Sequence, residues 1–235
     1  MEASRFEAPA PDGSRPPKRG EPGARSPGPE PIVNAPWPVV ALTLVIIGAY
    51  LLQSRYPLAW VADALAFSPH LIASQPERLL TSLFVHGAWS HALLNAAFIL
   101  AFGAPVARLF GPRPGGVAAF FGFYLACGVL AALGFALLHW GQAAALIGAS
   151  GAASGLMGAA ARLIGGGGRV GPIFSQAVTG MGLAWLIVNA IMALAPGGLV
   201  PGVGQTAAVG WEAHLVGFAA GVLLIGPFGR LAPRP

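Results

Sequence analysis

The side chains that could do chemistry lie in three separate apolar segments. Ser150 occurs in the run Gly148-Ala149-Ser150-Gly151, His91 and Asn95 lie in an earlier segment, and His214 lies in a later one. Strongly polar and ionisable groups are costly inside apolar segments and are usually functional. A serine, two histidines and an asparagine are the nucleophile, base and hydrogen-bond donors that acyl transfer requires.

A serine hydroxyl becomes a good nucleophile when a base removes its proton. His214 is the preferred base for Ser150, because small residues near both allow their helices to approach closely. Gly217 and Gly221 lie one turn apart and form a flat surface on the helix of His214. The matching small face on the other helix is either Ser150 with Ser154 or Gly151 with Gly155.

His91 and Asn95 are four residues apart and therefore share one face of a helix. We expect the Asn95 amide, the His91 ring N–H and the Ser150 backbone N–H to stabilise the oxyanion of a tetrahedral intermediate. Three acidic residues follow residue 35, and none of them is placed to support the base. They are Asp63, Glu77 and Glu212. The sequence therefore predicts a Ser–His dyad without a third member.

Structural alternatives exist for each of these residues. A Gly/Ser-rich membrane helix usually serves packing, and His214 could simply bond a backbone carbonyl. His91 and Asn95 could cap the start of their helix. A metal site could be forced from His86, His91 and His214, but no acidic or thiol ligand lies near, so we expect neither a metal nor a cofactor.

Composition predicts a polytopic membrane protein. Of 235 residues, 55% are hydrophobic and 9% are charged, against roughly a quarter charged in soluble domains. The single cysteine, Cys127, excludes an internal disulfide. The formal charge of +5 is spread over tail and loops, which favours membrane lipid headgroups as partners and gives no indication of nucleic acid.

The chain divides into a tail, 1–35, and a membrane domain, 36–235. The tail is rich in Pro, Gly and Ser, so we expect it to be disordered and cytoplasmic. A long first loop, 53–90, is expected to contain short interfacial helices, with Ser90 as the N-cap of the next helix. The six predicted membrane-spanning segments are 37–52, 91–110, 116–140, 144–163, 176–195 and 207–228.

Arginines predict the orientation of these segments. Basic residues follow the second, fourth and sixth segments and occur in the tail, whereas the other side has only Arg55 and Arg78. The positive-inside rule then places both termini in the cytoplasm. With these boundaries Ser150 would lie about 9 Å along the fourth helix and His214 about 10 Å along the sixth, at similar depth from the outer side.

Three motifs together resemble those of the rhomboid intramembrane serine proteases. They are Gly148-Ala149-Ser150-Gly151, His86 with His91-Ala92-Leu93-Leu94-Asn95, and Ala213-His214-Leu215-Val216-Gly217 with Gly221. The resemblance covers 37–228 and implies a six-helix bundle open to the outside, with Ser150 as nucleophile and His214 as base. It implies single-span membrane proteins as substrates, cut near the outer membrane face, and a mobile cap over 196–210.

Two positions depart from the family pattern. Ser154 stands where family members often have an aromatic residue packed against the base, so another aromatic such as Trp211 would have to hold His214. Glu77-Arg78 stands where the family has Trp-Arg. Neither change removes a catalytic group.

Two other functions compete with proteolysis. A catalytically inactive rhomboid-like protein would bind transmembrane helices, although such proteins usually lose the serine or the histidine. A small transporter would often show internal repeats, and none is evident between the two halves. The lone cysteine and the absence of a presequence favour a bacterial inner membrane.

Overall fold

The structure, a computed structural model, describes residues 35–194 and 210–231. Regular structure in these ranges is helical, apart from one isolated bridge between Phe67 and Leu146. The predicted tail lies outside the described residues except for Ala35, and so does the predicted cap except for Gly210. The α-helices are α1 (Trp37–Gln53), α2 (Leu58–Leu65), α3 (Arg78–Thr81), α4 (Trp89–Phe110), α5 (Pro114–Leu138), α6 (Ser150–Gly165), α7 (Gln176–Leu194) and α8 (Trp211–Leu231).

Four of the described helices, α4, α5, α7 and α8, are long and apolar enough to cross a membrane. Helix α1 is apolar but has 17 residues, and α6 has 16. A helix of 16 residues is about 24 Å long, somewhat less than the hydrocarbon core of a bilayer. The protein is an integral membrane protein with an all-helical membrane domain.

The first loop contains short helices, as the sequence predicts. Helices α2 and α3 lie there with two 3₁₀ turns, Pro69–Leu71 and Ser82–Phe84. The prediction that Ser90 caps the next helix is wrong. Helix α4 starts at Trp89 after Ala88, with no side-chain cap, so Ser90 lies within its first turn.

The predicted start of the fourth segment is also wrong. Helix α6 begins at Ser150, and Leu146 instead exchanges two backbone hydrogen bonds with Phe67, at 2.8 and 3.1 Å. Ser150 is thus the first residue of α6, and His214 lies in the first turn of α8. The hydropathy of an apolar segment does not depend on whether its backbone forms hydrogen bonds within a helix or with a neighbouring loop. Hydropathy alone therefore could not locate the start of α6.

Helix α6 is the centre of the bundle. Twelve of its 16 residues are buried, and its amino-terminal end packs against α8 through glycines. A Cβ on Gly217 would overlap the carbonyl oxygen of Gly151, and one on Gly221 would overlap that of Gly155. Of the two small faces that the sequence left open, the one formed by Gly151 and Gly155 meets α8. The two backbones are therefore in direct contact just below Ser150 and His214.

Arg162 holds the carboxy-terminal end of α6. Arg162 donates from Nε to the carbonyl of Gly171, at 2.9 Å, and from Nη1 to the carbonyl of Val222 on α8, also at 2.9 Å. Because Gly171 follows α6 in the chain, these bonds join α6, the next loop and α8. The guanidinium thus fixes one end of the helix pair whose other end carries the polar residues.

Candidate active site

Ser150 and His214 are hydrogen-bonded to each other. The Ser150 Oγ lies 2.7 Å from the His214 Nε2. Ser150 is partly exposed, whereas His214 is 7% exposed. The glycine contacts between α6 and α8 bring these two side chains together from residues 64 apart in the chain.

Asn189 on α7 is the second partner of His214. Its Oδ1 lies 2.7 Å from the His214 Nδ1, and its Nδ2 donates to the carbonyl of Trp185 at 2.8 Å. The second bond fixes which end of the amide faces the histidine. Because an amide oxygen can only accept, Nδ1 carries a proton. In the neutral ring Nε2 is then unprotonated and accepts the Ser150 hydroxyl.

The sequence reasoning missed Asn189 because it considered only acidic residues as the third member. A signal was present in the sequence. Apart from Gln176 at its start, Asn189 is the one amide of an apolar helix, and polar groups within such helices are usually functional. The spacing alone could not show that it faces His214, which lies on a different helix.

His91 and Asn95 face the loop that precedes Ser150. The Gly87 backbone N–H donates to the His91 Nδ1 at 3.4 Å, which leaves Nε2 as the donor of the neutral ring. A Cβ on Gly148 would lie 2.7 Å from that Nε2 and 3.7 Å from the Asn95 Nδ2. Gly148 has φ +110°, so glycine is required there both by the backbone and by the close approach of His91.

Three hydrogen-bond donors therefore lie around the Gly148–Ser150 loop. The Asn95 Nδ2 is buried and has no hydrogen-bond partner among the described residues. The Ser150 backbone N–H belongs to the first turn of α6, whose N–H groups have no acceptor within the helix. Buried donors without acceptors are uncommon, so the unpartnered Asn95 Nδ2 is the exceptional group beside this loop.

His86 holds the same loop from the other side. Its ring is completely buried, with Nδ1 3.3 Å from the carbonyl of Phe84 and Nε2 3.5 Å from the backbone N–H of Ala149. Burial, with a smaller contribution from the neighbouring His91, lowers the pKa of His86 to about 3. The neutral ring donates at Nδ1 and accepts at Nε2, so it can satisfy both backbone groups.

The backbone of His86 is itself anchored by α1. The Gln53 side chain accepts from the His86 N–H at 3.0 Å and donates to the His86 carbonyl. The Gly148 N–H donates to the carbonyl of Ser82 at 2.9 Å. Within the described residues no three His, Cys, Asp or Glu side chains lie close enough together to hold a metal ion.

The family model of the Rhomboid domain matches residues 73–230. The chain belongs to the rhomboid family. The matched range contains helices α3 to α7 and nearly all of α8, and so includes His86, His91, Asn95, Ser150 and His214. A comparison with curated proteins finds no match. Rhomboid proteins are typically intramembrane serine proteases, and some members are inactive.

The position that is often aromatic in rhomboids has a different use here. The Ser154 Oγ donates to the carbonyl of Ser150 at 2.7 Å. The aromatic neighbour of the histidine is Trp185 on α7, whose ring centroid lies 5.7 Å from that of His214. The suggested substitute, Trp211, is 37% exposed at the start of α8. Helix α7 thus supplies both the ring and the amide that contact His214.

Within the part of the chain that the structure describes, the hydrogen bonds of the His214 ring involve no acidic residue. Glu212 pairs with the His139 Nε2 at 3.1 Å, which ties the start of α8 to the end of α5. In the first loop Glu77 immediately precedes α3, and Arg78 donates to the carbonyl of Ala66 at 3.1 Å. The arginine of the Glu77-Arg78 pair therefore anchors the loop without the tryptophan found in relatives.

Proposed function

We propose that this rhomboid protein is an intramembrane serine endopeptidase that cleaves single-span membrane proteins. The observation that carries the proposal is the 2.7 Å hydrogen bond from the Ser150 hydroxyl to His214. A serine with only a structural role would not need a histidine whose Nδ1 is kept protonated by the Asn189 Oδ1. The unpartnered Asn95 Nδ2 beside Gly148 supports the second requirement of acyl transfer, which is a hydrogen-bond donor for the oxyanion.

In the proposed reaction the Ser150 Oγ attacks the scissile carbonyl carbon while the His214 Nε2 takes the hydroxyl proton. The carbonyl oxygen becomes an oxyanion and accepts hydrogen bonds from the Asn95 Nδ2, the His91 Nε2–H and the Ser150 N–H. Removing one such donor typically reduces kcat by about 100- to 1,000-fold. These donors are already in place before the charge develops, so the transition state gains more than the ground state.

The intermediate then collapses to an acyl enzyme. The C–N bond breaks as protonated His214 gives its proton to the leaving amine, and the amino-terminal part of the substrate remains esterified to Ser150. Water next attacks the ester while His214 again accepts a proton, which releases a carboxylate and restores the serine. No cofactor or metal enters this sequence of steps.

The proposed orientation has six membrane-spanning helices, α1 and α4 to α8, with both chain termini in the cytoplasm. Arginines after α4, near the end of α6 and at the end of α8 support it through the positive-inside rule. Ser150 then faces the outer side, below the lipid headgroups. The substrates and membrane lipids are the proposed partners, and a bacterial inner membrane is the proposed location.

The test is cleavage of a generic single-span substrate in liposomes by purified wild type, Ser150→Ala and His214→Ala. We expect cleavage by wild type and no detectable product from either variant. Ser74→Ala, in the exposed part of the first loop, is the matched serine control and should cleave as wild type does.

Two results would overturn the proposal. Cleavage by Ser150→Ala would exclude Ser150 as the nucleophile. Silence of wild type combined with retention of the transmembrane substrate would assign the protein to the inactive, helix-binding members of the family.

A further inference from the structure

We infer that Asn189 is a positioning residue for His214 and completes a Ser150–His214–Asn189 triad whose third member belongs to α7. The inference deepens the proposed function and rests on it for the chemical role of His214. Its geometric basis is independent, because it consists of two hydrogen bonds of the Asn189 amide that exist whatever the protein cleaves. One bond reaches His214 and the other reaches the backbone of Trp185.

The amide fixes the proton of the histidine. A neutral imidazole has two tautomers, and only the one protonated at Nδ1 leaves Nε2 free to accept the serine proton. The Asn189 Oδ1 selects this tautomer, since the bond from Nδ2 to the Trp185 carbonyl prevents the amide from presenting its NH₂ group to His214. Without that acceptor, the tautomer protonated at Nδ1 is no longer stabilised over the one protonated at Nε2.

The amide also fixes the ring in space. Asn189 is completely buried, and His214 lies between its Oδ1 and the Ser150 Oγ, with 2.7 Å on each side. Trp185 lies one turn before Asn189, with its ring centroid 5.7 Å from that of His214 and 5.5 Å from that of Phe98 on α4. The imidazole is thus held at both nitrogens.

Helix α7 has few other attachments to the bundle. Val178 and Asn189 are the buried residues of this completely described helix, and Asn189 alone of the two is completely buried. Most of the remainder is exposed apolar surface suited to lipid. A buried polar side chain on a helix with so little buried surface indicates a role in addition to packing. The orientation of the base depends on where this lightly packed helix lies.

The test compares Asn189→Leu, which keeps the branched side-chain skeleton without an acceptor, with Asn189→Asp, which keeps an acceptor. The primary readout is the rate at which a fluorophosphonate phosphonylates Ser150 with loss of fluoride, measured in detergent between about pH 6 and pH 9. Loss of one hydrogen bond of this kind should slow Asn189→Leu by about 5- to 30-fold. Val188→Ala, at an exposed neighbouring position of α7, should react as wild type does.

A positioning role predicts two further results. With a single-span substrate, kcat should fall in Asn189→Leu while KM changes little, because binding does not involve the amide. Asn189→Asp should recover labelling relative to Asn189→Leu at alkaline pH. If Asn189→Leu labels at the wild-type rate, or if the Leu and Asp variants behave alike throughout the pH range, the inference is overturned.

Failure of the proposed function would be recognisable separately. If wild type does not label at all, ¹⁵N spectra of the histidines still report the tautomer of His214. The inference then requires an Nδ1-protonated ring in wild type and a mixed population in Asn189→Leu. Equal spectra for the two proteins would refute it.

Discussion

His214 is held by two neutral partners, a hydroxyl and an amide. An aspartate in the place of Asn189 would add a buried charge to the interior of a membrane protein, where isolated charges are costly. The amide supplies the required acceptor without that charge. It stabilises the protonated histidine less than a carboxylate would, so the arrangement favours a base that is neutral at rest.

His86 makes folding sensitive to acid. Its pKa is lowered from the ordinary 6.5 to about 3 by burial, so the unfolded chain binds a proton at this site at pH values where the folded protein does not. The contribution of the neutral His86 ring to the free energy of unfolding is fully present above about pH 6.5. It decreases as the pH falls below that value. From about pH 7 to pH 5 we expect His86 alone to reduce the free energy of unfolding by about 2 kcal/mol.

Replacing the titratable ring should remove that loss. His86→Gln retains an oxygen that can accept from the Ala149 N–H but does not titrate, so its free energy of unfolding should depend less steeply on pH. Chemical unfolding in detergent at several pH values measures the slope. The control variant His70→Gln makes the same substitution at an exposed position of the first loop. Equal slopes for wild type and His86→Gln would contradict the prediction.

At the scale of helices, the distance between nucleophile and base is set by backbone contact. In Gly217→Ala the added Cβ would overlap the Gly151 carbonyl, so α8 must move away from α6. We expect a loss of about 1–3 kcal/mol in stability, the usual cost of overpacking. We also expect at least about tenfold slower fluorophosphonate labelling, because the lengthened Ser150–His214 bond removes its contribution.

Gly180→Ala is the matched control for this change. Gly180 lies within α7 with no atom within 4 Å of an added Cβ, and alanine is favoured over glycine in helices by up to about 1 kcal/mol. The melting temperature of Gly180→Ala should therefore equal or exceed that of wild type, and its rate of fluorophosphonate labelling should be unchanged. A Gly217→Ala protein as stable and reactive as wild type would show that the helices are not in contact there.

The sequence predicted the helices better than it predicted their neighbours. Apolar runs bounded by Pro and Gly gave α4, α5 and α7 to within two residues, since a span needs about 20 apolar residues. The start of α6 escaped because Leu146 bonds to Phe67, a contact between positions 79 residues apart. Asn189 escaped for the same reason, since its partner lies on α8. Ser150 and His214 were accessible because the glycines flanking them indicate close helix packing.

At the scale of the whole molecule, the proposed orientation can be measured with single cysteines. Cys127 is completely buried and should not react, so wild type serves as the blank. Ser74→Cys lies in the exposed first loop and Arg169→Cys in the exposed loop after α6. In spheroplasts a membrane-impermeant maleimide should label Ser74→Cys directly and Arg169→Cys only after lysis. The reverse pattern would invert the orientation and place Ser150 near the cytoplasm.

The hydrogen bonds from Gln53 to His86 show that the structural support of the site begins earlier in the chain than the family match does. The family match begins at residue 73, whereas the amide that holds both backbone groups of His86 comes from α1. Tyr50, one turn earlier, packs against Trp89 at the start of α4 with a ring distance of 4.7 Å. A chain shortened to the matched residues would contain Ser150, His214, His91 and Asn95. It would lack α1, which holds the backbone of His86 beside the Gly148–Ser150 loop. The range matched by the family model thus leaves out α1, whose Gln53 holds the backbone of His86.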